Sequence, residues 1–506
     1  MTWREYHAAT KHSVEALRRS PHVLDWGNMP DPFRHYEGVP VLDLPAGPPA
    51  LEAPTLAVLN GVFGAIAAMD GPGFLSQLLF YSAAISASKV VPSTGYRYAL
   101  RVNPSSGNLH PTEFHFLSRG LTDWPDGLYH YRPSAHMAEQ RALGEIGLNV
   151  PGGSATLVFV LTSIAWREAW KYRDRAYRYC LHDLGHAWQA LTLAAQAMGC
   201  ESFATGHFPD DDVAGALRLN EDEWPMLVVE IKPRGGEIKP RAGFVRVRGL
   251  DVGESRWYGG HANRLSTEVT DYPRIDGIHA ATKLDGLGRS GIAAAESAPI
   301  GSGEIRLPAP ASATRAFGRA FGEVARSRRS ALDFRGGMES MSLGQLSAIL
   351  VAATRPLLAD FAGTRFIQLY LYAHRVDGLP AGVYRFWPES ATLEQIKSGD
   401  QRVAAAGLSL GQDLAGNACV TFSMIGDLER AGRAHGNRGY RYVHFEAGAI
   451  GQRLYLAAEA LGLGATGIGA FYDEEVHRYL DLTPEQGQAV YHFAIGYPVP
   501  DPRVQA

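Results

Sequence analysis

One short segment stands out for the number of hydrogen-bonding side chains that it brings together. Residues 101–117 read RVNPSSGNLHPTEFHFL, where Ser105, Ser106 and Asn108 lie between two prolines and precede an alternating, strand-like run. A turn requires only one or two residues such as Pro, Asn or Gly. The surplus of hydroxyl and amide groups predicts a rigid loop that grips a polar ligand, with a simple turn as the alternative.

Two further motifs suggest chemistry but stand in the wrong context. His182 and His186 in HDLGH have the spacing of zinc ligands in hydrolases, but Asp183 stands where the general-base Glu is expected. GLGATG at 462–467 matches the dinucleotide fingerprint, yet it follows a predicted helix where the fingerprint requires a strand. A metallohydrolase therefore stays an alternative, and a dinucleotide-binding fold is not predicted.

The elements that must position these groups occur twice in the chain. Residues 175–208 align without a gap to residues 438–471, at an offset of 263 residues, and 14 of the 34 positions are identical. Shorter similarities follow in the same order: 74–84 with 342–353, 127–133 with 382–388, and Lys11-His12-Ser13 with Arg328-Arg329-Ser330. The repeat predicts two copies of one domain.

Each copy is predicted to be an α+β domain. Small and apolar residues recur at helical spacing over 179–198 and 442–461, and Gly199 and Gly462 follow where each helix would end. Alternating runs such as EFHFL and AVYHFAI predict strands. Because both helices are apolar on more than one face, we expect them to form an interface between the copies, which makes the chain an internal pseudo-dimer.

The repeat also predicts how the chain is divided. A first domain is predicted over 1–231, a connector over 232–310 and a second domain over 311–506. The connector is rich in Gly, Pro and charged residues and shows little periodicity. We expect it to carry the chain from one half of the molecule to the other.

Composition excludes several classes of partner. The 506 residues carry a net charge of −4, which leaves no basic footprint for nucleic acid or for a membrane surface. No run of apolar residues is long enough to span a bilayer, and the start of the sequence has no apolar signal segment. The three cysteines have no metal or redox spacing. We therefore predict a cytoplasmic protein with no nucleic-acid or membrane partner.

Several motifs together carry a family resemblance. They are RRS at 328–330, PSSGNLHPTE at 104–113, GLYHY at 127–131, KYRDRAYRY and HDLGH within 171–186, and GATGIGAF at 464–471. With these motifs the chain resembles the flavin-dependent nitroreductase superfamily. It is most similar to the tandem members of the SagB-type dehydrogenase branch, which includes azoline-oxidising enzymes of thiazole and oxazole peptide biosynthesis. The resemblance implies FMN bound at the interface between two copies.

The resemblance also assigns residues to that site. One complete site would combine Arg328, Arg329, Ser330, Gly467, Ile468 and Gly469 with Ser105, Ser106 and Asn108. Arginines and hydroxyls suit the FMN phosphate, and glycines let the backbone approach the flavin ring. The mirror site would use Lys11, Ser13 and Gly206 with the loop 358–366, which has lost most of its polar residues. We therefore predict one competent flavin site per chain.

Lys171 and Tyr172 resemble the Lys-Tyr pair that serves catalysis in the azoline-oxidising branch, although a solvated helix start is the plainer interpretation. The predicted function is an FMN-dependent oxidoreductase that transfers hydride between flavin N5 and a small-molecule or peptide substrate. NAD(P)H as a transient electron donor, a nitro- or quinone-reductase activity, and a non-catalytic flavin-binding scaffold stay open. A second occupied flavin site and a further homodimer stay open as well.

Overall fold

The computed structural model describes residues 1–19, 22–66, 70–144, 146–149, 157–234, 246–247, 256–285, 296–309, 318–363 and 365–505. Within these ranges, no helix combines the length and the apolar character needed to cross a bilayer.

The first half and the segment that follows it contain helices α1 to α8 and strands β1 to β14. The helices are α1 (Trp3–Ala9), α2 (Val14–Arg19), α3 (Thr55–Leu59), α4 (Gly71–Phe80), α5 (Ala165–Tyr172), α6 (Ala176–Ala197), α7 (Asp210–Leu217) and α8 (Pro273–Thr282). The strands are β1 (Tyr36–Glu37), β2 (Val41–Asp43), β3 (Ile85–Val90), β4 (Arg97–Arg101), β5 (Thr112–Ser118), β6 (Gly127–Arg132), β7 (Met137–Leu143), β8 (Leu148–Asn149), β9 (Leu157–Ser163), β10 (Cys200–Thr205), β11 (Trp224–Pro233), β12 (Arg246–Val247), β13 (Arg256–Trp257) and β14 (His261–Ala262).

The second half contains helices α9 to α15 and strands β15 to β24. The helices are α9 (Phe321–Ser327), α10 (Leu343–Ala353), α11 (Arg402–Leu408), α12 (Asp413–Asn417), α13 (Leu428–His435), α14 (Gly439–Ala460) and α15 (Asp473–Leu480). The strands are β15 (Ile305–Arg306), β16 (Met341–Ser342), β17 (Ile367–Ala373), β18 (Val376–Asp377), β19 (Gly382–Trp387), β20 (Thr392–Ser398), β21 (Val420–Gly426), β22 (Gly464–Ile468), β23 (Gln488–Gly496) and β24 (Val504–Gln505).

The two halves build the same sheet. The first sheet runs in the order β10-β11-β9-β5-β6-β7-β13, with β2 also paired to β7. The second runs in the equivalent order β22-β23-β21-β17-β19-β20-β15, and the pairs within both sheets are antiparallel. Helices α6 and α14 occupy equivalent places in the repeat. The predicted tandem α+β architecture is therefore confirmed.

Helices α6 and α14 cross where two equivalent glycines meet. A Cβ on Gly185 would lie 2.3 Å from the carbonyl oxygen of Phe445, and a Cβ on Gly448 would lie 2.1 Å from that of His182. Any larger residue would push the two backbones apart. Gly199 and Gly462 follow the two helices with positive φ of 77° and 74°, the conformation that ends a helix most easily. The predicted internal helix pair therefore forms the centre of the molecule.

Buried ion pairs that repeat the same pattern join the halves on either side of this crossing. Asp473 bonds Arg175 at 3.0 Å and Arg178 at 2.8 Å, and each pair crosses from one half to the other. In the equivalent place, Asp210 bonds Arg438 at 2.5 Å and Arg441 at 2.7 Å. Because each buried carboxylate is neutralised by arginines of the other half, the two halves depend on each other for charge balance.

The segment 232–310 has more structure than its sequence suggests. Among its described residues, α8 spans ten residues, β13 extends the first sheet and β15 extends the second. Strands of two residues carry no periodic signal, which explains why the sequence reads as a loose connector here. The predicted domain boundaries stay predictions, and residues 311–317 lie outside the described ranges.

Candidate active site

A cavity of about 580 Å³ lies between the two halves. Every residue predicted for the site lines it: Ser105, Ser106, Asn108, Lys171 and Tyr172 from the first half, with Arg328, Arg329, Ser330, Gly467, Ile468 and Gly469 from the second. The structure thus brings together residues that are more than 350 positions apart. Their individual roles stay predictions.

The polar loop is held in place by an aspartate of α6. The hydroxyls of Ser105 and Ser106 donate to the carboxylate of Asp183 at 2.7 and 2.9 Å, and the Ser106 N–H donates to it as well. Gly107 and Asn108 have positive φ of 58° and 61°, so the loop needs residues that tolerate this conformation. The serines therefore fix the loop onto α6, which the ligand-gripping prediction did not include.

Sequence reasoning missed Asp183 as a member of this site. It noticed the residue only as a departure from a zinc motif. The signal that was available is the repeat itself, because the equivalent position holds another acid, Glu446. Glu446 accepts the N–H groups of Phe366 and Ile367 at 3.0 and 3.1 Å, just as Asp183 accepts that of Ser106.

Next to the residues that precede this loop, two arginines line the cavity without an ion-pair partner among the described residues. Arg328 is 3% exposed and donates to the carbonyl oxygens of Arg101 and Val102, both at 3.2 Å. Arg329 donates to backbone oxygens, including that of Ser86 at 3.1 Å. Among the described residues, neither guanidinium forms an ion pair, although Glu459 acts on both through space, and Nη1 of Arg328 and Nε of Arg329 are buried without a hydrogen-bond partner.

The electrostatics of this corner match an anionic ligand. Burial lowers the pKa of Arg328, and burial together with Arg328 and Arg326 lowers that of Arg329 to about 10. Buried cations without a counter-ion are costly unless an anion compensates them. A phosphate with nearly two negative charges would satisfy both the charge and the unpaired nitrogens.

The glycines of β22 are required by tyrosines that pack against this strand. A Cβ on Gly467 would lie 2.0 Å from the hydroxyl of Tyr491, and a Cβ on Gly469 would lie 2.2 Å from the ring of Tyr179. The Gly467 N–H donates to the Tyr455 hydroxyl at 2.9 Å. The strand can therefore present only backbone atoms at these positions, which suits the flat edge of a ring system.

Ile468 and Ser330 complete this wall in different ways. The side chain of Ile468 is buried in the hydrophobic core of the second half, so only its backbone lines the cavity. The hydroxyl of Ser330 lies 2.8 Å from that of Tyr455, which also accepts the Gly467 N–H. Tyr455 thus links Ser330, which follows the two arginines, to Gly467 of β22.

Lys171 and Tyr172 converge on the tip of the polar loop. A Cβ on Gly107 would lie 2.7 Å from the Tyr172 hydroxyl and 3.1 Å from Lys171 Nζ. The ring of Tyr172 packs on that of Tyr179, with centroids 4.4 Å apart, and burial raises the pKa of Tyr172 well above 10. Both side chains face the cavity that the arginines line, a placement that the sequence alone left open.

The equivalent crevice on the other side of the molecule is closed. The Ala204 N–H donates to the carbonyl oxygen of Leu358 at 2.9 Å, and the Asp360 N–H donates back to that of Ala204 at 3.0 Å. Phe361 stacks on Tyr442 with centroids 4.2 Å apart and planes 8° apart. The loop 358–362 therefore covers the strand edge that corresponds to Gly467–Gly469.

Lys11, His12 and Ser13 do not occupy the place that the sequence comparison suggested. Lys11 bonds Glu474 at 2.5 Å, and the His12 N–H donates to Asp473 at 2.9 Å, near the start of α15. The proposed pairing with Arg328–Ser330 is therefore wrong in space. A short basic segment before a serine is too common to fix a position in the fold.

The structural counterpart of α9 is α3. The Thr55 N–H donates to the carbonyl oxygen of Arg319 at 3.0 Å, and the Phe321 N–H donates to that of Ala53 at 2.8 Å, so the starts of α3 and α9 pair with each other. Residues 60–63, which follow α3, read NGVF and contain no cation. The segment after α3 therefore supplies no cation of its own, although Arg355 of the other half approaches it, with its Nη2 2.9 Å from where a Cβ on Gly61 would lie.

The histidine pair has no metal-site geometry. His182 stacks on Tyr491 with ring centroids 4.4 Å apart, and His186 lies 3.2 Å from the Tyr491 hydroxyl. Burial lowers the pKa of His186 to about 3. In the part of the chain that the structure describes, no group of three His, Cys, Asp or Glu side chains is placed to hold a metal ion. The metallohydrolase alternative therefore gains no support.

Comparison with known proteins adds independent findings. The model described as Nitroreductase family matches residues 83–231 and 325–497. The putative nitroreductase MJ1384 of Methanocaldococcus jannaschii is 32% identical over 149 residues, which are 28% of this chain and 75% of that protein. The crystal structure of a putative nitroreductase from Anabaena variabilis has a TM-score of 0.72 at 25% identity and covers 98% of this chain and 99% of that one.

Two relatives are named for the processing of trifolitoxin and of microcin B17. The trifolitoxin-processing protein TfxB of Rhizobium leguminosarum bv. trifolii is 28% identical over 29% of this chain and 42% of that protein. The microcin B17-processing protein McbC of Escherichia coli is 27% identical over 26% and 53%, respectively. The matched region thus spans about half the length of these two relatives. The family prediction is confirmed, with support for its SagB-type branch, and the chain belongs to the nitroreductase family.

Proposed function

We propose that the chain is an FMN-dependent oxidoreductase with one flavin site, in the cavity between its halves. The observation that carries this proposal is the buried Arg328 and the half-buried Arg329, which form no ion pair among the described residues and line the same cavity as the glycines that end β22 and the polar loop. FMN needs these three things: a cationic corner for phosphate, a close backbone edge for its ring, and a rigid polar loop.

The residues present fit this cofactor. Arg328, Arg329 and Ser330 would hold the phosphate, and the backbone of Gly467, Ile468 and Gly469 would face the ring. Ser105, Ser106 and Asn108 would border it from the other half, on the loop that Asp183 fixes. When bound, FMN accepts or donates a hydride at N5, and the protein supplies binding, orientation and charge.

Lys171 and Tyr172 would handle the proton that accompanies hydride transfer. Their Nζ and hydroxyl groups reach the loop tip at Gly107, and both residues line the cavity that would hold the cofactor. With the pKa of Tyr172 raised by burial, its hydroxyl stays protonated at neutral pH and acts as a hydrogen-bond donor. Lys171 is the group that would take up a substrate proton or stabilise negative charge.

The proposed substrate is a peptide or a small molecule that enters past an aromatic rim. Trp26 is 68% exposed and Tyr96 is 49% exposed, and both line the cavity together with Met29 and Tyr98. Exposed aromatic side chains around an opening favour a flat or extended apolar ligand. The names of the TfxB and McbC relatives support a peptide.

The test is a titration of the purified protein with FMN, followed by flavin absorbance and fluorescence. We expect saturation at one FMN per chain. Arg328→Ala should weaken the affinity roughly 10- to 100-fold, because hydrogen bonds to charged groups contribute about 1.5–3 kcal/mol. Lys11→Ala is the matched control and should bind FMN like the wild type. Two FMN per chain, or equal effects of both variants, would contradict the proposal.

A second measurement shows whether the protein oxidises its substrate or reduces it. Anaerobic addition of NADPH bleaches the flavin if the protein is a reductase supplied by a nicotinamide nucleotide. Bleaching by an azoline-containing peptide, with reoxidation by oxygen, supports dehydrogenation instead. A protein that binds FMN and is reduced by neither compound supports the scaffold alternative.

A further inference from the structure

Two buried carboxyl groups meet behind the polar loop. Glu168 on α5 and Asp183 on α6 are both fully or nearly fully buried, and only Asp183 reaches the cavity wall. The hydroxyl of Ser105 lies 2.7 Å from Asp183 and 3.5 Å from Glu168, so both acids contact the same group. In the described residues, neither carboxyl forms an ion pair, and no N–H group or hydroxyl donates to Oε2 of Glu168.

The groups that face this pair offer little positive charge. From α5 these are Lys171 and Tyr172, from α6 Tyr179 and Cys180, and from β23 Tyr491. Lys171 is the one cation among them, and it acts on Glu168 through space, without a hydrogen bond in the described residues. Ionising both members of a buried carboxyl pair that has no counter-ion costs a large free energy, so one of them keeps its proton.

From this geometry we propose that Glu168 and Asp183 share one proton, and that the pair positions the Ser105–Ser106 loop for cofactor binding. Asp183 carries the negative charge and accepts the hydrogen bonds of the loop. Glu168 holds the proton and donates it toward Asp183. The inference rests on the proposed function, because the loop borders the proposed flavin site.

The expected protonation of the two acids agrees with this arrangement. Burial and the neighbouring Asp183 raise the pKa of Glu168 well above its usual value, so it is protonated at neutral pH. Burial raises the pKa of Asp183 to about 6, while its hydrogen bonds with Ser105, Ser106 and Glu168 oppose that rise. Above the pKa of Asp183, about 6, and below the higher pKa of Glu168, the pair carries one proton and one negative charge. The two acids titrate as a unit.

The repeat provides a matched control within the same chain. Glu446 stands where Asp183 does, is buried and accepts two backbone N–H groups, but it belongs to the closed crevice. The position equivalent to Glu168 is Ala431, so Glu446 has no carboxyl partner at that position. Glu446→Gln therefore removes a comparable buried acid without touching the proposed proton-sharing pair.

The first experiment detects the shared proton without any cofactor. Infrared difference spectra of the apoprotein at neutral pH are recorded for the wild type and Glu168→Gln, in water and in heavy water. We expect the wild type to show the carbonyl stretch of a protonated carboxylic acid, shifted by deuteration, that Glu168→Gln lacks. In the wild type this band should disappear at alkaline pH. Absence of the band would overturn the inference, whether or not FMN binds.

The second experiment measures FMN affinity from about pH 7.5 to about pH 9, above the range where the FMN phosphate titrates and below the pKa of about 10 of Arg329. In the wild type the affinity should fall roughly tenfold at the alkaline end, because loss of the shared proton sets two carboxylates against each other and loosens the loop. Glu168→Gln and Asp183→Asn should both lose this alkaline fall, and Glu446→Gln should keep it.

The outcomes separate this inference from the proposed function. If Glu168→Gln keeps the alkaline fall in affinity, the carboxyl pair does not position the loop, although the flavin site stands. If the wild type binds no FMN at any pH, the proposed function fails, and the infrared band alone decides whether the proton is shared. Should one variant not fold, the other variant and the wild-type pH titration of the band still decide.

Discussion

The two crevices between the halves come from the same repeat, yet one is a cavity and the other is closed. At the cavity, Gly467 leaves the edge of β22 open, and Arg328 and Arg329 stand beside it. At the closed crevice, Ala204 bonds the loop around Leu358, and Phe361 fills the space above Tyr442. In both crevices, most of the residues of the central helices α6 and α14 are buried. Binding capacity can therefore be lost from one copy while its packing role is kept.

The difference follows a simple physical rule. An open crevice must hold unpaired cations and bare backbone that only a ligand satisfies, and this costs stability when the ligand is absent. The closed crevice replaces these groups with a backbone pairing and an aromatic stack. If the chain has one flavin site, as proposed above, the second copy is free to pack more tightly.

The largest expected effect tests whether only the cavity lined by Lys171 and Tyr172 is catalytic. Lys171→Ala should lower the turnover of the FMN-loaded protein by about 10²- to 10⁴-fold, the usual contribution of a positioned proton-transfer group, and leave FMN affinity unchanged. Steady-state kinetics with whichever compound reduces the flavin in the anaerobic test, together with FMN titration, measure the two quantities. His435→Ala, at the position equivalent to Tyr172, should change neither. A normal turnover of Lys171→Ala would remove the catalytic assignment.

The next effect tests how the closed side is filled. Phe361→Ala should reduce the free energy of unfolding by about 3–5 kcal/mol, because the buried ring leaves a cavity against Tyr442 and Trp188. Denaturant unfolding measures the loss, with Leu358→Ala, an exposed neighbour, as the control. The variant should still bind one FMN. A second bound FMN would mean that the ring alone blocks a site that is otherwise intact.

The smallest expected effect tests the strand edge. Gly467→Ala should cost about 1–3 kcal/mol in stability and weaken FMN binding, because the new methyl group meets the Tyr491 hydroxyl. Adding Tyr491→Phe should recover part of both losses, since it removes the clashing oxygen. Ala204→Gly, at the equivalent position of the closed side, should not affect FMN binding. If Gly467→Ala bound FMN normally, close approach of this strand would be unnecessary.

Much of the site was predictable from the sequence because its parts are local motifs. The polar loop, the arginine segment and the glycine strand each carry a recognisable composition, and the repeat showed that they come from two copies. The roles of Glu168 and Asp183 were not predictable, because a carboxyl pair forms only when α5 and α6 bring together residues whose spacing has no sequence signature.

Two other failures of the sequence analysis have equally physical causes. Lys11-His12-Ser13 matched Arg328–Ser330 in residue type, but backbone pairing of α3 with α9 fixes a different correspondence. Within 256–285 and 296–309, the described elements are strands of two residues and the helix α8, and they are specified by the elements that they join. Local similarity identifies a site residue only where the surrounding elements are also repeated.

The buried ion pairs of Asp473 and Asp210 have a consequence for handling the protein. In a two-chain assembly, contacts of this kind are lost on dilution, and a ligand held between the subunits dissociates with them. Here a covalent tether keeps the partners at a fixed effective concentration, whatever the amount of protein in solution. Retention of the proposed cofactor should therefore be independent of protein concentration down to the limit set by its own dissociation constant.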